Sequence, residues 1–209
     1  MANSYKIIDE KTWERAMHCM VFRNSVEPAF CVTFEAEITG FKNMVKEQGL
    51  SFTLAMVYAV CNCANKIEAF RYRFVDGQIA LFDRIDTAFT YLNKDTELFK
   101  VVNVPMVDDL KEHCELALKT ANQQKEYFTG PLGNDVFQCS PMPWVTYTHI
   151  SHTNSGKRDN ATPLFDWGKY YEKDGKIIIP ISVQAHHSFV DGLHIGQFVE
   201  ELQKYFNEW

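Results

Sequence analysis

The feature that most constrains the fold is a strand, turn and helix in succession near the C-terminal end of the sequence. The apolar run over 177–183 predicts a strand, and the pattern over 193–206 predicts a helix. Between them, residues 186–192 read His-His-Ser-Phe-Val-Asp-Gly. A side chain at such a junction is held by a rigid frame and still faces a cleft, so a histidine here is a candidate catalytic base.

A proline inside the predicted strand restricts how that strand pairs. Pro180 has no N–H to donate to a neighbouring strand, so the strand is expected at a sheet edge, bulged, or unpaired at that point. An edge strand that ends in a histidine would also be a natural place for another subunit to dock.

The remaining patterns predict helices mixed with short strands. Apolar alternation over 29–38 predicts a half-buried strand, and Asp76-Gly77 between two apolar runs predicts a type I′ hairpin. Other patterns predict helices over 9–21, 43–48, 51–67 and 107–127, strands over 89–92, 98–104 and 144–148, a turn over 173–176 and a surface loop over 151–163. They predict one domain over residues 1–209, of α/β class: a two-layer sandwich in which helices cover a mixed β-sheet.

Composition excludes several classes of partner. The formal charge of −6 argues against nucleic acid, which binds basic surfaces. No run approaches the roughly 18 continuous apolar residues of a membrane span, and the first residues are polar and lack a signal core, so a cytoplasmic protein is expected. The six cysteines include no Cys-x-x-Cys pair, which is typical of free core thiols in a reducing compartment.

The His-x-x-x-Asp-Gly segment allows more than one chemistry. His187 can act as a base near neutral pH, and Asp191 can either orient its ring or pair with a distant arginine. Metal ligation by His187, Asp191 and His194 is disfavoured by Gly192 and by the preceding strand. The motifs Gly-x-Ser-x-Gly and Gly-x-x-x-x-Gly-Lys-Ser/Thr are absent from the sequence. Packed, hydrogen-bonded histidines with no chemical role remain an alternative.

Three segments together carry a resemblance to a known family. They are Pro180 to His194, the run Ser140-Pro141-Met142-Pro143-Trp144-Val145, and Trp13-Glu14-Arg15. The sequence resembles chloramphenicol acetyltransferases of the trimeric, histidine-dependent class over nearly its whole length. His-x-x-x-Asp-Gly alone also occurs in dihydrolipoyl acyltransferases, so it is the combination that is specific.

The resemblance implies an O-acetyltransferase that moves acetyl from acetyl-CoA to a hydroxyl of chloramphenicol or a similar small alcohol and so inactivates the antibiotic. It implies that His187 is the general base and that no acyl-enzyme forms, because both substrates meet in one tunnel. Ser140 would steady the tetrahedral intermediate. Asp191 would pair with Arg15 rather than relay a proton. The resemblance also implies a homotrimer with sites at subunit interfaces.

The resemblance also implies two sets of binding residues, one of which departs from the family pattern. The acceptor alcohol would contact Phe22, Phe30, Gln138, Asp166 and Gln184, and the coenzyme would contact Trp144, Lys169 and Tyr170. Phe22 stands where the family usually has tyrosine, Gln138 where asparagine is frequent, and Asp166 where threonine is common. A weakened preference for chloramphenicol is therefore expected, with acetyl-CoA as co-substrate and no metal. The alternatives are a binding protein without turnover and an acyltransferase for another acceptor, such as a lipoyl or carrier thiol.

Overall fold

The fold combines five α-helices with ten strands, as seen in a computed structural model that describes residues 3–129, 133–152 and 159–209. The helices are α1 (Ala16–Arg23), α2 (Thr39–Glu47), α3 (Phe52–Asn65), α4 (Leu110–Gln123) and α5 (Gly192–Phe206), and a 3-10 helix spans Glu68–Arg71. The strands are β1 (Tyr5–Ile7), β2 (Ala29–Glu37), β3 (Tyr72–Val75), β4 (Gln78–Phe82), β5 (Asp86–Asn93), β6 (Leu98–Val104), β7 (Val136–Cys139), β8 (Leu164–Trp167), β9 (Tyr171–Lys173) and β10 (Lys176–His186).

Seven of the strands form the main sheet, in the order β2-β10-β8-β7-β5-β6, with β9 beside β10. The pairs β5–β7 and β7–β8 are parallel, and the other pairs are antiparallel. Strands β1, β4 and β3 form a second, smaller sheet. The expected two-layer arrangement, with helices on a mixed sheet, is confirmed.

Helix α3 lies at the centre of the hydrophobic core. Apolar residues nearly surround it, and its residues from Leu54 to Val60 are all buried. Around it the sheet contributes Phe137 and Phe165, whose rings pack 5.6 Å apart, and Phe165 also contacts Phe198 of α5 at 5.3 Å. Because side chains alternate along a strand, Gln138, Leu164 and Asp166 must point to the opposite face of the sheet.

The segment after β7 crosses that opposite face closely. A Cβ placed on Gly168 would stand 2.8 Å from the carbonyl oxygen of Val145 and 2.9 Å from Cγ of Pro180. Only glycine therefore allows the backbone at 168 to come so near the crossing segment. That contact sets where the residues following Ser140 lie over the sheet.

The expectation that Pro180 marks an edge strand is wrong. Strand β10 has β2 on one side, and β9 and β8 follow one another along its other side. Pairing with β9 ends at Ile178 and pairing with β8 begins at Ile181. Pro180 falls in this gap: it pairs with Glu35 of β2 on one side, and on the other side only its carbonyl is used, accepting from Gly168. The alternative of a local break in pairing is therefore correct on that one side. The edge strand next to β10 is β2, and β6 forms the opposite edge.

The predicted helix over 9–21 is wrong in its first half, since α1 begins only at Ala16. The side-chain carboxylate of Asp9 accepts a hydrogen bond from the backbone of Lys11, which favours a turn over a helix. Trp13 packs its ring on Tyr72, 5.1 Å away, outside the helix. Met17 and Met20, two of the apolar residues whose spacing predicted this helix, are exposed.

The strand predicted over 144–148 is also wrong. This segment is irregular, because backbone bonds tie it to single points of the sheet: Met142 donates to Trp167, and Lys169 donates to Val145. Two central strands, β7 and β8, had no strand prediction. They are four residues long, and each is interrupted by a polar residue, Gln138 or Asp166, so they lack a continuous apolar run. Within the loop predicted over 151–163, residues 153–158 lie outside the described residues.

None of the helices within the described ranges is long and apolar enough to cross a membrane. All six cysteines are free thiols, and five of them are buried.

Candidate active site

His187 lies just beyond the end of β10, between two aromatic rings. Its backbone N–H donates to the carbonyl of Pro28 at 2.8 Å, which fixes where the chain leaves the strand. The ring of Phe22 stacks on the imidazole with centroids 3.8 Å apart and planes 5° apart. The ring of Phe30 lies 4.7 Å away at a tilt. The His187 side chain is 35% exposed, so the imidazole is held by packing and remains reachable.

The neighbouring histidine is placed differently. His186 is almost fully buried, and its ring packs against Phe74 and Phe189 in the core. Its carbonyl accepts hydrogen bonds from the backbone of Phe189 and Val190, which closes the turn after β10. Of the two adjacent histidines, His187 is therefore the one positioned for chemistry on a bound molecule.

Arg15 holds the turn that carries His187. Its guanidinium donates to both carboxylate oxygens of Asp191, at 2.6 and 2.7 Å. The same group donates to the carbonyl oxygens of Ser188 at 2.7 Å and His187 at 3.1 Å. One side chain before α1 thus fixes the backbone on both sides of the turn. Such a bidentate fork is the strong form of an ion pair.

Asp191 is committed to Arg15 rather than to the base. The hydrogen bonds from Arg15 hold the pKa of this carboxyl below its ordinary value. Nδ1 of His187 lies 3.1 Å from Oδ1 of Asp191, but Nδ1 makes no hydrogen bond within the described residues because the angles are unsuitable. His194, the third residue of the metal alternative, has turned away: its Nδ1 accepts the backbone N–H of Asp191 at the start of α5.

The Arg15–Asp191 pair is expected to make the stability of the fold depend on acid. A carboxyl with a depressed pKa stabilises the folded state above its unfolded pKa of about 3.9, and this is lost as pH falls through the lower folded value. Asp191→Asn should therefore cost about 1 kcal/mol of unfolding free energy at pH 7, a small value because both side chains keep contact with solvent. Urea denaturation at several pH values should show the cost shrinking below about pH 4.

The control for this experiment is another ion pair on the same chain. Arg84 contacts Asp108, whose side chain is 96% exposed, so Asp108→Asn should change the stability by less than about 0.5 kcal/mol. A loss for Asp191→Asn that stays the same from pH 7 to pH 3 would contradict the assignment.

A second group of the predicted residues lies on the sheet face away from the helices. In register, Gln138 pairs with Leu164, which pairs with Gln184 of β10. Asp166 lies opposite Ser182 on the same two strands. Gln138 and Ser140 line one cavity of about 170 Å³, at the end of β7. Three of the five residues assigned to the acceptor therefore share one face of the sheet with Ser140.

His152 joins this second group, although no sequence pattern had indicated it. Its Nε2 lies 2.6 Å from Oδ2 of Asp166, and it lines the same cavity as Ser140. Asp166 is fully buried, and burial raises its pKa, while the contact with His152 acts in the opposite direction. The only signal in the sequence was an isolated histidine in a polar loop.

The three residues assigned to the coenzyme form a third group. The backbone of Lys169 donates to Val145, which brings residues 144–146 beside 168–170. Trp144 is 64% exposed, and Tyr170 is also exposed. The structure adds Lys42, whose Nζ lies 5.0 Å from the centre of the Tyr170 ring. Exposed rings beside two lysines suit a ligand that has a flat base and phosphate groups.

Within one chain, His187 and Ser140 are far apart. The backbone of Ser140 bonds to Phe165, next to Asp166, and Asp166 lies opposite Ser182 on β10. His187 is five residues beyond Ser182, which corresponds to about 17 Å along the strand, and the two strand spacings from β10 to β7 add about 10 Å across the sheet. These two groups cannot meet on one substrate within a single chain.

A cavity of about 940 Å³ lies elsewhere, between the segment before α1, the end of α3 and α5. Arg15 lines its wall, but His187 and Ser140 do not. Volume alone would favour this cavity over the one of about 170 Å³ at Ser140, although of the four residues assigned to catalysis only Arg15 lines it. No group of three or more histidine, cysteine, aspartate or glutamate side chains placed to hold a metal ion occurs within the described residues.

Comparison with known proteins identifies the relatives of this chain. A family model described as chloramphenicol acetyltransferase matches residues 3–203. Chloramphenicol acetyltransferase 2 of Escherichia coli is 29% identical over 200 residues, which cover 94% of each chain. A chloramphenicol acetyltransferase of Acinetobacter baumannii is 28% identical over 98% of this chain and 95% of its own length.

Solved structures agree with these relatives. A chloramphenicol acetyltransferase structure matches with a TM-score of 0.89 and 28% identity, over 97% of this chain and all of that chain. A dihydrolipoamide acetyltransferase of Azotobacter vinelandii matches with a TM-score of 0.64 and 16% identity, over 91% of this chain and 86% of that one. The second likeness is one of fold alone.

Proposed function

The chain belongs to the chloramphenicol acetyltransferase family, and from this membership we propose that it transfers the acetyl group of acetyl-CoA to a hydroxyl of chloramphenicol. The observation that carries the proposal is the family match over residues 3–203, which includes a reachable His187 between two aromatic rings. Acetylation of the hydroxyl would inactivate the antibiotic.

In the proposed reaction His187 is the general base. The imidazole takes the proton of the acceptor hydroxyl while the hydroxyl oxygen attacks the thioester carbon. The resulting tetrahedral intermediate collapses, the C–S bond breaks, and the departing thiolate takes the proton back from the imidazolium. Phe22 and Phe30 hold the ring against rotation. The Arg15 clamp keeps the turn that presents it in place, so Arg15 and Asp191 act as positioning residues.

Ser140 is proposed to stabilise the intermediate. Ser140 directly follows β7 and lines the same cavity as Gln138. A hydroxyl aimed at the developing oxyanion is typically worth about 3 kcal/mol in the barrier. Gln184 of the adjacent strand lies on the same sheet face, so the acceptor alcohol is proposed to lie along that face.

Acetyl-CoA is proposed to bind at the surface formed by Trp144, Lys169 and Tyr170. The exposed aromatic rings offer a stacking surface for the adenine base. The two lysines, Lys169 and Lys42, supply positive charge for its phosphates. This surface lies at the same end of the sheet as Ser140, since residues 168–170 directly follow β8.

We further propose that one domain over residues 1–209 assembles into a homotrimer and that each active site combines two copies. The separation of His187 from Ser140 within one chain supports this, because one substrate must reach both. Edge strand β2 and the exposed apolar side chains Met17, Met20 and Val21 of α1 border the turn that carries His187, so a neighbouring copy has an apolar surface to cover.

The direct test follows free thiol released from acetyl-CoA with and without chloramphenicol. Chloramphenicol-dependent release supports the proposal, and mass spectrometry should show one added acetyl group on the drug. Binding of chloramphenicol without any release would instead support a binding protein that has lost turnover. Equal release with unrelated alcohols would show an acyltransferase whose natural acceptor is different, as the replacement of threonine by Asp166 had suggested.

A further inference from the structure

The contact between His152 and Asp166 places a buried ionisable pair beside the cavity that Ser140 lines. Asp166 is 0% exposed and the His152 side chain 16% exposed. Nε2 and Oδ2 are 2.6 Å apart, while Oδ1 of Asp166 has no hydrogen-bond partner among the described residues. Among those residues, His152 is the one partner that lowers the pKa of Asp166, against the larger effect of burial.

This environment limits which protonation states the pair can adopt. A carboxylate that accepts Nε2–H of a neutral imidazole would leave a net negative charge buried in the cavity wall, and burial, which raises the pKa of Asp166, disfavours that state. The two neutral arrangements avoid that cost. In one, an imidazolium faces a carboxylate. In the other, the carboxylic acid donates its proton to Nε2 of a neutral imidazole.

Both neutral arrangements place a hydrogen on Nδ1 of His152. In the imidazolium, both ring nitrogens carry hydrogens, and in the neutral ring Nε2 is the acceptor, so Nδ1 must hold the proton. Nδ1 is therefore a hydrogen-bond donor in either case and cannot remove a proton from an alcohol. This distinguishes His152 from His187, which makes no such pair with a buried carboxyl.

The donor lies beside the group proposed to stabilise the oxyanion. His152, Gln138, Thr90 and Ser140 line one cavity of about 170 Å³, and the only hydrogen bond of the His152 ring to a described residue is the one to Asp166. Groups left unpaired at a cavity wall suit a ligand with polar atoms of its own.

We propose that His152, held by Asp166, determines acceptor specificity by donating a hydrogen bond from Nδ1–H to an oxygen of the acyl acceptor other than the one acetylated. The oxygen belongs to a carbonyl, nitro or carboxylate group. This inference rests on the proposed acetyl transfer and identifies the class of alcohol that the site selects: one with an electron-rich oxygen at a distance from its reactive hydroxyl.

The first test measures acceptor kinetics with chloramphenicol, which carries amide and nitro oxygens. His152→Leu removes the donor and should raise KM for chloramphenicol about tenfold, the cost of one such hydrogen bond, with kcat changed less than about twofold. His152→Gln keeps an N–H donor and should restore most of the affinity. His149→Leu is the matched control, because His149 is exposed on the same segment and does not line the cavity. An unchanged KM for His152→Leu would overturn the proposal.

The second test does not depend on turnover. Long-range ¹⁵N–¹H NMR spectra of the wild-type protein should show a protonated Nδ1 on His152 at pH 7–8, and Asp166→Leu, which leaves Nε2 without its partner, should abolish that signature. An unprotonated Nδ1 in the wild type would overturn the proposal. If the wild type acetylates nothing, the proposed function fails. The NMR signature then decides separately whether His152 is a fixed donor.

Discussion

His187→Ala is expected to lower kcat for acetylation of chloramphenicol by about 10²–10⁴-fold, the usual contribution of a positioned general base. KM for chloramphenicol should change far less, since the imidazole is only one part of the wall beside Phe22 and Phe30. The measurement is steady-state release of thiol from acetyl-CoA at pH 7.5. His18→Ala is the matched control, because His18 is an exposed histidine outside the site and its loss should leave kcat unchanged.

A further measurement separates loss of the base from loss of structure. Removing the imidazole leaves a gap between two fixed aromatic rings, so added imidazole should enter it and restore part of the activity of His187→Ala. The thermal midpoint should stay close to that of the wild type, because the ring is partly exposed. Full activity in His187→Ala would show that another group takes the proton.

Local chemistry determined the elements that the sequence predicted well. At the predicted hairpin, Asp76 and Gly77 have φ of 49° and 81°, as the type I′ turn requires. The alternation over 29–38 matched β2, because one side of that strand meets the core. The apolar helix predicted over 51–67 is α3, and burial on all sides explains its composition.

Tertiary contacts determined the elements that the sequence did not predict. Strands β7 and β8 are short, and each is hydrogen-bonded to a neighbouring strand on both sides. This pairing holds them in the sheet, so their sequences do not show the apolar pattern of a longer strand. Trp13 looked like part of a helix face, yet it packs on Tyr72 from outside α1. The residues around Trp13 give no indication that its partner is Tyr72, which lies 59 residues further along the chain.

The candidate site divides in the same manner. His187 and Asp191 could be found from their place between a strand and a helix, whereas Arg15 was identified as the partner of Asp191 only through the resemblance, since the two lie 176 residues apart. His152 was missed because neither spacing nor composition indicates that a loop histidine will meet a buried carboxyl. The prediction failed because it assumed that a polar residue in a loop lies on the surface. Functional sites are the places where that assumption most often does not hold.

Mixed oligomers are expected to recover activity that each parent lacks, if His187 and Ser140 meet across two copies. Ser140→Ala alone should lower kcat about 10²–10³-fold, the usual cost of removing an oxyanion donor. Co-expression of differently tagged His187→Ala and Ser140→Ala chains, followed by purification on both tags, isolates trimers that contain both. In a cyclic trimer every mixed arrangement has a single boundary at which an intact His187 faces an intact Ser140.

Each mixed trimer should therefore show about a third of wild-type activity, whichever variant is in the majority. That is at least about 30-fold above either parent, given the cost of losing one donor. Sedimentation should place the species near three times the 24.2 kDa chain. Parents mixed only after separate purification are the control and should stay inactive unless subunits exchange. If mixed trimers were no more active than their parents, both residues would have to act within one chain, and the separation of about 17 Å along β10 would have to close by a rearrangement of the sheet.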